Sequence, residues 1–186
     1  MQAALTTEPA SPWVMRFAPL IREGGTILDL ACGAGRNARW LAAQGWQVEA
    51  VDRDAALLEG LRDVNNICVR HADLENAAWP YAARTFDGIV VCRYLHRPLL
   101  PLLAASLAEN GVLIYETFML GQEKYGRPKN ADFLLKPNEL MEYFNNKLEV
   151  LCFEQGVFYE PQPRSLQRIC LRNKHVATLH TQSQFQ

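Results

Sequence analysis

Several features are missing from this chain of 186 residues, and each absence removes a class of function. No apolar run approaches the length of a membrane-spanning helix, so no membrane partner is expected. The opening MQAALTTEPASPWVM lacks the charged start and apolar middle of a secretory leader, which makes a cytoplasmic location the expectation. An excess of charge is missing too: 19 basic residues face 20 acidic ones, for a net charge of −1. Without a basic field, or basic residues interleaved with aromatics, nucleic acid is disfavoured as a partner. The five cysteines, Cys32, Cys68, Cys92, Cys152 and Cys170, are scattered through mostly apolar segments and form no C-x-x-C pair. They are expected to be reduced core thiols. His71, His96, His175 and His180 show no zinc-like spacing with them, so no metal is expected.

What is present is ordinary globular material, 49% hydrophobic and 21% charged, enough for one domain over 1–186 with a substantial core. Residues 1–10 and 174–186 are expected to be loose. Strands are expected near 26–31, 47–51, 66–70, 86–92 and 110–117, with helices near 35–44, 53–63 and 98–108, and a leading helix over 12–21. Segments such as TILDLA and GIVVC are apolar on both faces, as in a parallel sheet covered by helices. The α/β, Rossmann-like class follows. Residues 119–137, MLGQEKYGRPKNADFLLKP, resist a continuous helix and are expected to form a lid-like loop carrying Lys124, Tyr125, Arg127 and Lys129. The helix PNELMEYF comes next, opened by Pro137, and two further strands, LEVLCFEQG and QRICLRN, complete the count. Trp13, Trp40, Trp46 and Trp79 read as core or rim packing.

The most telling stretch is TILDLACGAGRNARWLA, Thr26 to Ala42, where an apolar strand, a glycine turn and a helix start follow one another and an acid, Asp29, sits within the strand. Gly33 and Gly35 allow a tight turn and close approach of a ligand, and the helix start presents free amides to negatively polarised oxygens. Gly33, Gly35 and Ala38 also fit a dinucleotide fingerprint, with Asp52 near the expected ribose position. Asp29 favours a ligand that brings a cation instead. Asp52 and Asp73 recur at the ends of the next apolar segments, and carboxyl ends of parallel strands are where such sheets bind ligands.

With those acids in place, the stretch resembles motif I of the class I S-adenosylmethionine-dependent methyltransferases. The resemblance implies a seven-stranded, mostly parallel sheet with helices on both faces and the last strand antiparallel. It also implies S-adenosyl-L-methionine as cofactor. Asp29 and the turn Ala31, Cys32, Gly33, Gly35, Arg36 and Asn37 would hold its methionine end; Asp52, with Arg53 beside it, would accept the ribose hydroxyls. Asp73 would face the adenine amino group between Ala72 and Leu74, and the backbone of Cys92 and Arg93 would meet the ammonium. GRNARWLAAQGWQVEAVDRD and FLLKPNEL are further similar to the tellurite-resistance methyltransferases, whose small soft or oxyanionic acceptors would suit Arg36, Arg93 or Lys124. Neither an N-P-P-Y nor a P-C motif of nucleic-acid enzymes is present.

The acceptor side is expected after the fourth and fifth strands. Tyr94 and His96 would face a small-molecule acceptor, and His96 is the candidate general base, since histidine is the side chain most often used for that work, if it does not simply pack or cap the next helix. Glu116 would bind substrate or pair with Arg93 or Arg97. Alternatives stay open: an RNA or protein methyltransferase, supported if Arg164, Arg168, Arg172 and Lys174 form a basic face, or a non-catalytic cofactor-binding module. The sequence sets no oligomeric state.

Overall fold

The computed structural model describes residues 8–159 and 161–174. Of the N-terminal segment expected to be loose, Glu8–Ala10 are placed against the body of the protein, and 1–7 lie outside the described residues, as do 175–186 with His175 and His180.

The strands are β1 (Thr26–Leu30), β2 (Gln47–Asp52), β3 (Ile67–His71), β4 (Phe86–Cys92), β5 (Leu107–Phe118), β6 (Glu149–Phe158) and β7 (Arg164–Arg172). They form one sheet in the order β3-β2-β1-β4-β5-β7-β6. The pairs among β1 to β5 are parallel, whereas β7 runs antiparallel to both β5 and β6, so β7 alone is reversed. The helices are α1 (Pro12–Phe17), α2 (Arg36–Ala43), α3 (Ala55–Glu59), α4 (Leu100–Ala105) and α5 (Glu139–Phe144). The fold is the Rossmann-like seven-stranded sheet expected from the alternating apolar segments.

Strand alternation divides the core between the two faces. Leu28, Leu30, Ile89, Val91, Leu113 and Tyr115 pack on one side with α4 and α5, through residues such as Leu103 and Phe144. Ile27, Val90, Val112 and Ile114 pack on the other with α1 and α2, through Trp13, Val14, Ala38 and Leu41. Asp29 is two residues from Ile27 and so falls on the second face.

The ends of several helices differ from expectation for local reasons. α1 stops at Phe17 and passes into a 3-10 turn over Ala18–Leu20, because Pro19 lacks the amide that an α-helix would use there. α3 begins after the Asp54 cap, whose carboxylate accepts from the Ala56 and Leu57 amides, and it ends at Gly60 rather than near residue 63. Pro137 lies just outside α5, which Asn138 opens in a left-handed conformation. Cys68 is a correction: it is exposed on the edge strand β3, while Cys170 is buried and Cys32, Cys92 and Cys152 are half-buried, all as free thiols.

Candidate functional site

The chain runs from β1 outward to β3, then returns to β4 on the other side of β1, so the order reverses between β1 and β4. Ligands in such sheets bind outside the carboxyl ends of the strands at that reversal. A cleft of about 940 Å³ opens there. Ala31 lines it after β1, Asp52 at the end of β2 and Arg53 after it, Ala72 to Glu75 after β3, Arg93 to Leu95 after β4, and Thr117 and Phe118 at the end of β5. A further wall is Arg127, Pro128, Lys129, Asn130 and Phe133 from the 119–137 segment.

Two of these strand ends carry backbone that L-residues rarely adopt. Ala31 (φ 52°) follows β1 and Arg93 (φ 56°) follows β4, flanking the reversal point. Such conformations cost on the order of 1 kcal/mol or more and collect at ligand sites. The turn between β1 and α2 bends through Gly33 (φ 57°) and Gly35 (φ 75°). A Cβ on Gly35 would sit 2.5 Å from Leu61, while one on Gly33 would meet nothing within 4 Å, leaving open space above it.

Asp52 ties this turn to the next strand. One carboxylate oxygen accepts the Gly33 amide at 2.7 Å and the other accepts the Asp54 amide at 2.9 Å. Asp73 shapes the following loop by accepting the Glu75 amide (2.9 Å), the Asn76 amide (3.2 Å) and the Asn76 side chain (2.9 Å). These bonds, the Asn76 side chain first, hold its carboxyl below the usual range.

Behind the turn lies a polar cluster on the α1 and α2 face. Asp29 is 1% exposed, and its Oδ2 is buried with no partner. Burial pushes its carboxyl up to about 7, against the pull of the Ala38 amide and the Arg36 guanidinium. Asn37 accepts the Ser11 amide at 2.9 Å. Burial likewise pushes the Cys92 thiol up to about 12 and the Cys32 thiol still higher, so both remain inert packing. Arg36 donates to the Pro9 carbonyl at 3.0 Å, yet its Nη2 is buried without a partner.

Two residues expected beside the acceptor are placed elsewhere. Glu116 alternates with Tyr115 and Thr117 on β5, so its side chain faces α1 rather than the cleft lined by Thr117. It accepts the Ser11 hydroxyl at 2.8 Å and pairs with Arg168 at 3.4 Å, not with Arg93 or Arg97. His96 caps the 3-10 turn over Arg97–Leu99 with its backbone and does not line the cleft. Tyr94 does line it, with a buried hydroxyl that has no hydrogen-bond partner. Burial and the nearby Glu75 carboxylate raise that phenol, so it stays protonated.

The 119–137 segment is anchored at both ends. Met119 bridges Leu135, and Gln122 accepts the Ser165 amide at 2.9 Å while donating to the Arg127 carbonyl at 3.3 Å. Arg97 grips it from below, bonding Glu139 through both carboxylate oxygens and donating to the carbonyls of Asp132 (2.8 Å) and Leu134 (2.9 Å). Arg127 and Lys129 reach the cleft, whereas Lys124 and Tyr125 do not line it. The contribution of Glu75, Leu95, Asn130 and Phe133 to the cleft was not visible in the sequence, because only the chain path brings them to Asp52 and Asp73. Among the described residues no group of His, Cys, Asp and Glu is placed to hold a metal ion, and no helix is long and apolar enough to cross a membrane.

No curated protein sequence matches the chain. Solved structures do share its fold. TehB from Haemophilus influenzae superposes with a TM-score of 0.75 at 21% identity, over 91% of this chain and 64% of that one, so this chain spans less than two thirds of that protein. A TehB-like S-adenosylmethionine-dependent methyltransferase from Corynebacterium glutamicum gives 0.64 at 19% identity, over 87% of each chain. The 1,6-didemethyltoxoflavin-N1-methyltransferase of Burkholderia thailandensis, solved with bound 1,6-didemethyltoxoflavin and S-adenosylhomocysteine, gives 0.63 at 17% identity, over 88% of this chain and 77% of that one. Residues 1–173 match the model of a family described as a methyltransferase domain, and the chain belongs to that methyltransferase family.

Proposed function

We propose that this methyltransferase transfers a methyl group in line from S-adenosyl-L-methionine to a small molecule held in the 940 Å³ cleft. The observation that carries the reading is that one cleft is lined from the carboxyl ends of β1 to β5, on two sides of the reversal point, and walled by a single anchored loop. A space of this size suits a nucleoside cofactor with a compact acceptor beside it. The small-molecule acceptor named for the Burkholderia enzyme supports the same class.

The residues fit the cofactor. Asp29 offers a buried, unpartnered carboxylate oxygen to an ammonium, and the space above Gly33 admits a ligand against the turn. Asp52 spends only part of its accepting capacity on the Gly33 and Asp54 amides, since a carboxylate has about four lone-pair sites, and the remainder serves the ribose hydroxyls. Ala72, Asp73 and Leu74 wall the adenine end, with Arg53 beside the ribose position.

When bound, S-adenosylmethionine supplies an already activated methyl on a sulfonium. The protein's own task is therefore placement and dryness. Leu95, Phe118 and Phe133 exclude water from the cleft, and Tyr94 and Thr117 present hydroxyls for orienting an acceptor. Orientation of this kind is worth about 7 to 11 kcal/mol of barrier. Tyr94 acts as a hydrogen-bond donor, because its raised phenol does not give up its proton near neutrality. With His96 off the cleft, no side chain is assigned as general base, and an acceptor that arrives deprotonated needs none.

The reading is tested by thermal shift. S-adenosylmethionine at about a hundred times its dissociation constant adds about 2.7 kcal/mol of stability, and NAD adds none. Asp52→Ala is expected to remain folded and lose that response. A wild-type protein stabilised by NAD and indifferent to S-adenosylmethionine would refute it.

A further inference from the structure

Glu116 turns away from the cleft, yet it keeps a carboxylate on the interior strand β5, where it is only 7% exposed. A buried carboxylate is costly unless donors meet it, and an apolar residue would pack there as well. Its neighbours show what it holds. Oε2 lies 3.4 Å from Arg168, but that guanidinium has a closer acid in Glu154 at 2.8 Å and rests against the rings of Trp13 and Phe158. The short bond is to Ser11, whose hydroxyl donates to Oε1 at 2.8 Å.

Ser11 is a junction. It is buried just before α1, and its hydroxyl also accepts the Trp13 amide at 3.2 Å. Its own amide donates to Oδ1 of Asn37, a buried side chain at the second position of α2. The residues before it follow the same line: the Pro9 carbonyl accepts from Arg36 at 3.0 Å, and Glu8 pairs with Arg93 at 2.7 Å and lies 3.8 Å from Arg164. Residues 8–11 therefore form a strap from the ends of β4 and β5 to the first turn of α2. That turn needs an outside hold. Gly35 precedes α2 in a left-handed conformation and supplies no side-chain cap, so among the described residues Asn37 and Arg36 are fastened through the strap.

We infer that Glu116 is a positioning residue for the turn between β1 and α2: through the Ser11 hydroxyl it fixes the 8–11 strap, and the strap fixes the first turn of α2. This rests on the methyltransferase reading above, since the turn it steadies is the one assigned there to the cofactor. Glu116 touches no ligand. Its effect is on how long a bound nucleoside stays, because breaking the Ser11 link lets the strap and the start of α2 open locally while the sheet remains closed.

The test measures the release rate of S-adenosylhomocysteine by surface plasmon resonance from the full chain and from Ser11→Ala, Glu116→Ala and Glu116→Gln, with circular dichroism confirming that each is folded. Ser11→Ala and Glu116→Ala release it about tenfold faster, as for loss of a hydrogen bond to a charged group. Glu116→Gln keeps an oxygen for the Ser11 hydroxyl and recovers most of that loss, to within about threefold of the wild type. The double alanine variant is no faster than either single one, because both break the same link. Without ligand, Ser11→Ala raises amide hydrogen exchange over 11–15 and 39–41 while β1 and β4 keep their protection. If Glu116→Ala does not fold, Ser11→Ala and Glu116→Gln decide the matter. A folded Ser11→Ala that melts lower but releases the nucleoside at the wild-type rate overturns the inference, since a part that only stabilises the fold would behave that way. A wild type that binds no S-adenosylhomocysteine removes the cofactor reading instead, and exchange in the free protein then decides the strap: a rise over 39–41 in Ser11→Ala supports it and unchanged protection there overturns it.

Discussion

Asp29 shows how far a single residue can be read. Its position inside TILDL singled it out, because a buried strand rarely keeps an acid, and the structure gives it an oxygen with no partner. Its carboxyl is raised from 3.8 to about 7 by burial, so the folded state holds the proton more tightly than the unfolded chain. The stability this contributes is therefore full below about pH 4 and is lost as pH rises toward 7, at up to about 1.4 kcal/mol per pH unit. Asp29→Asn should match the wild type below pH 4 and exceed it above pH 7 in chemical denaturation. A cationic ligand needs the ionised form, so S-adenosylmethionine binding should tighten from pH 5.5 to 7 with release of a proton, visible as calorimetric heats that depend on the buffer. Asp52 and Asp73 were legible for the same reason, as acids recurring at strand ends. Glu8 and Arg164 were not: the residues that meet there are separated by most of the chain, and no local pattern marks an ion pair that only tertiary structure makes.

At the level of elements, the parallel strands declared themselves through runs apolar on both faces, and the structure places β1, β2, β3 and β4 within about a residue of the expected spans. β5 begins earlier, at Leu107, because the stretch before the left-handed Asn110 pairs with Phe86 across an irregular register. The insertion of β7 between β5 and β6 had no sequence signal beyond family resemblance. The β1 to α2 turn yields a sharp expectation. Gly35 sits at φ 75° against Leu61, so Gly35→Ala adds both backbone strain and overlap, for a loss of about 1 to 3 kcal/mol and a lower melting temperature by roughly 2 to 4 °C per kcal/mol. A melting scan that shows no change would mean the turn relaxes freely. Arg97 offers a second one. Among the described residues it alone reaches two carbonyls of the 119–137 segment and the Glu139 carboxylate, so Arg97→Ala should raise amide hydrogen exchange over 127–134 while β1 to β5 keep their protection.

For the whole molecule, near-neutral charge supplies no global field to draw in nucleic acid. Of the four cations Arg164, Arg168, Arg172 and Lys174, three face acids: Arg164 approaches Glu8, Arg168 pairs with Glu116 and Glu154, and Lys174 pairs with Glu149. Incubated with total RNA and a radiolabelled methyl donor, the protein should leave the RNA unlabelled, and acid-insoluble counts above a no-enzyme control would contradict the small-molecule assignment. The position of the cleft could be anticipated because β1 to β5 are laid out by apolar periodicity, and the reversal of strand order then dictates where a ligand goes. The 119–137 segment was expected to be lid-like, but which of its residues meet the cleft could not be read, since Pro128, Asn130 and Phe133 reach it only by the path of an irregular segment.

That path has a practical corollary for engineering. The Met119 to Leu135 bridge and the Arg97 grip fasten the 119–137 stretch at its roots, while the span that lines the cleft, 127–130, is tied to the sheet, among the described residues, through Gln122. It behaves as an interchangeable cassette. Grafting a foreign sequence between Gly126 and Ala131 should redirect which compound is modified, with nucleoside recognition and the hydrophobic interior carried over intact.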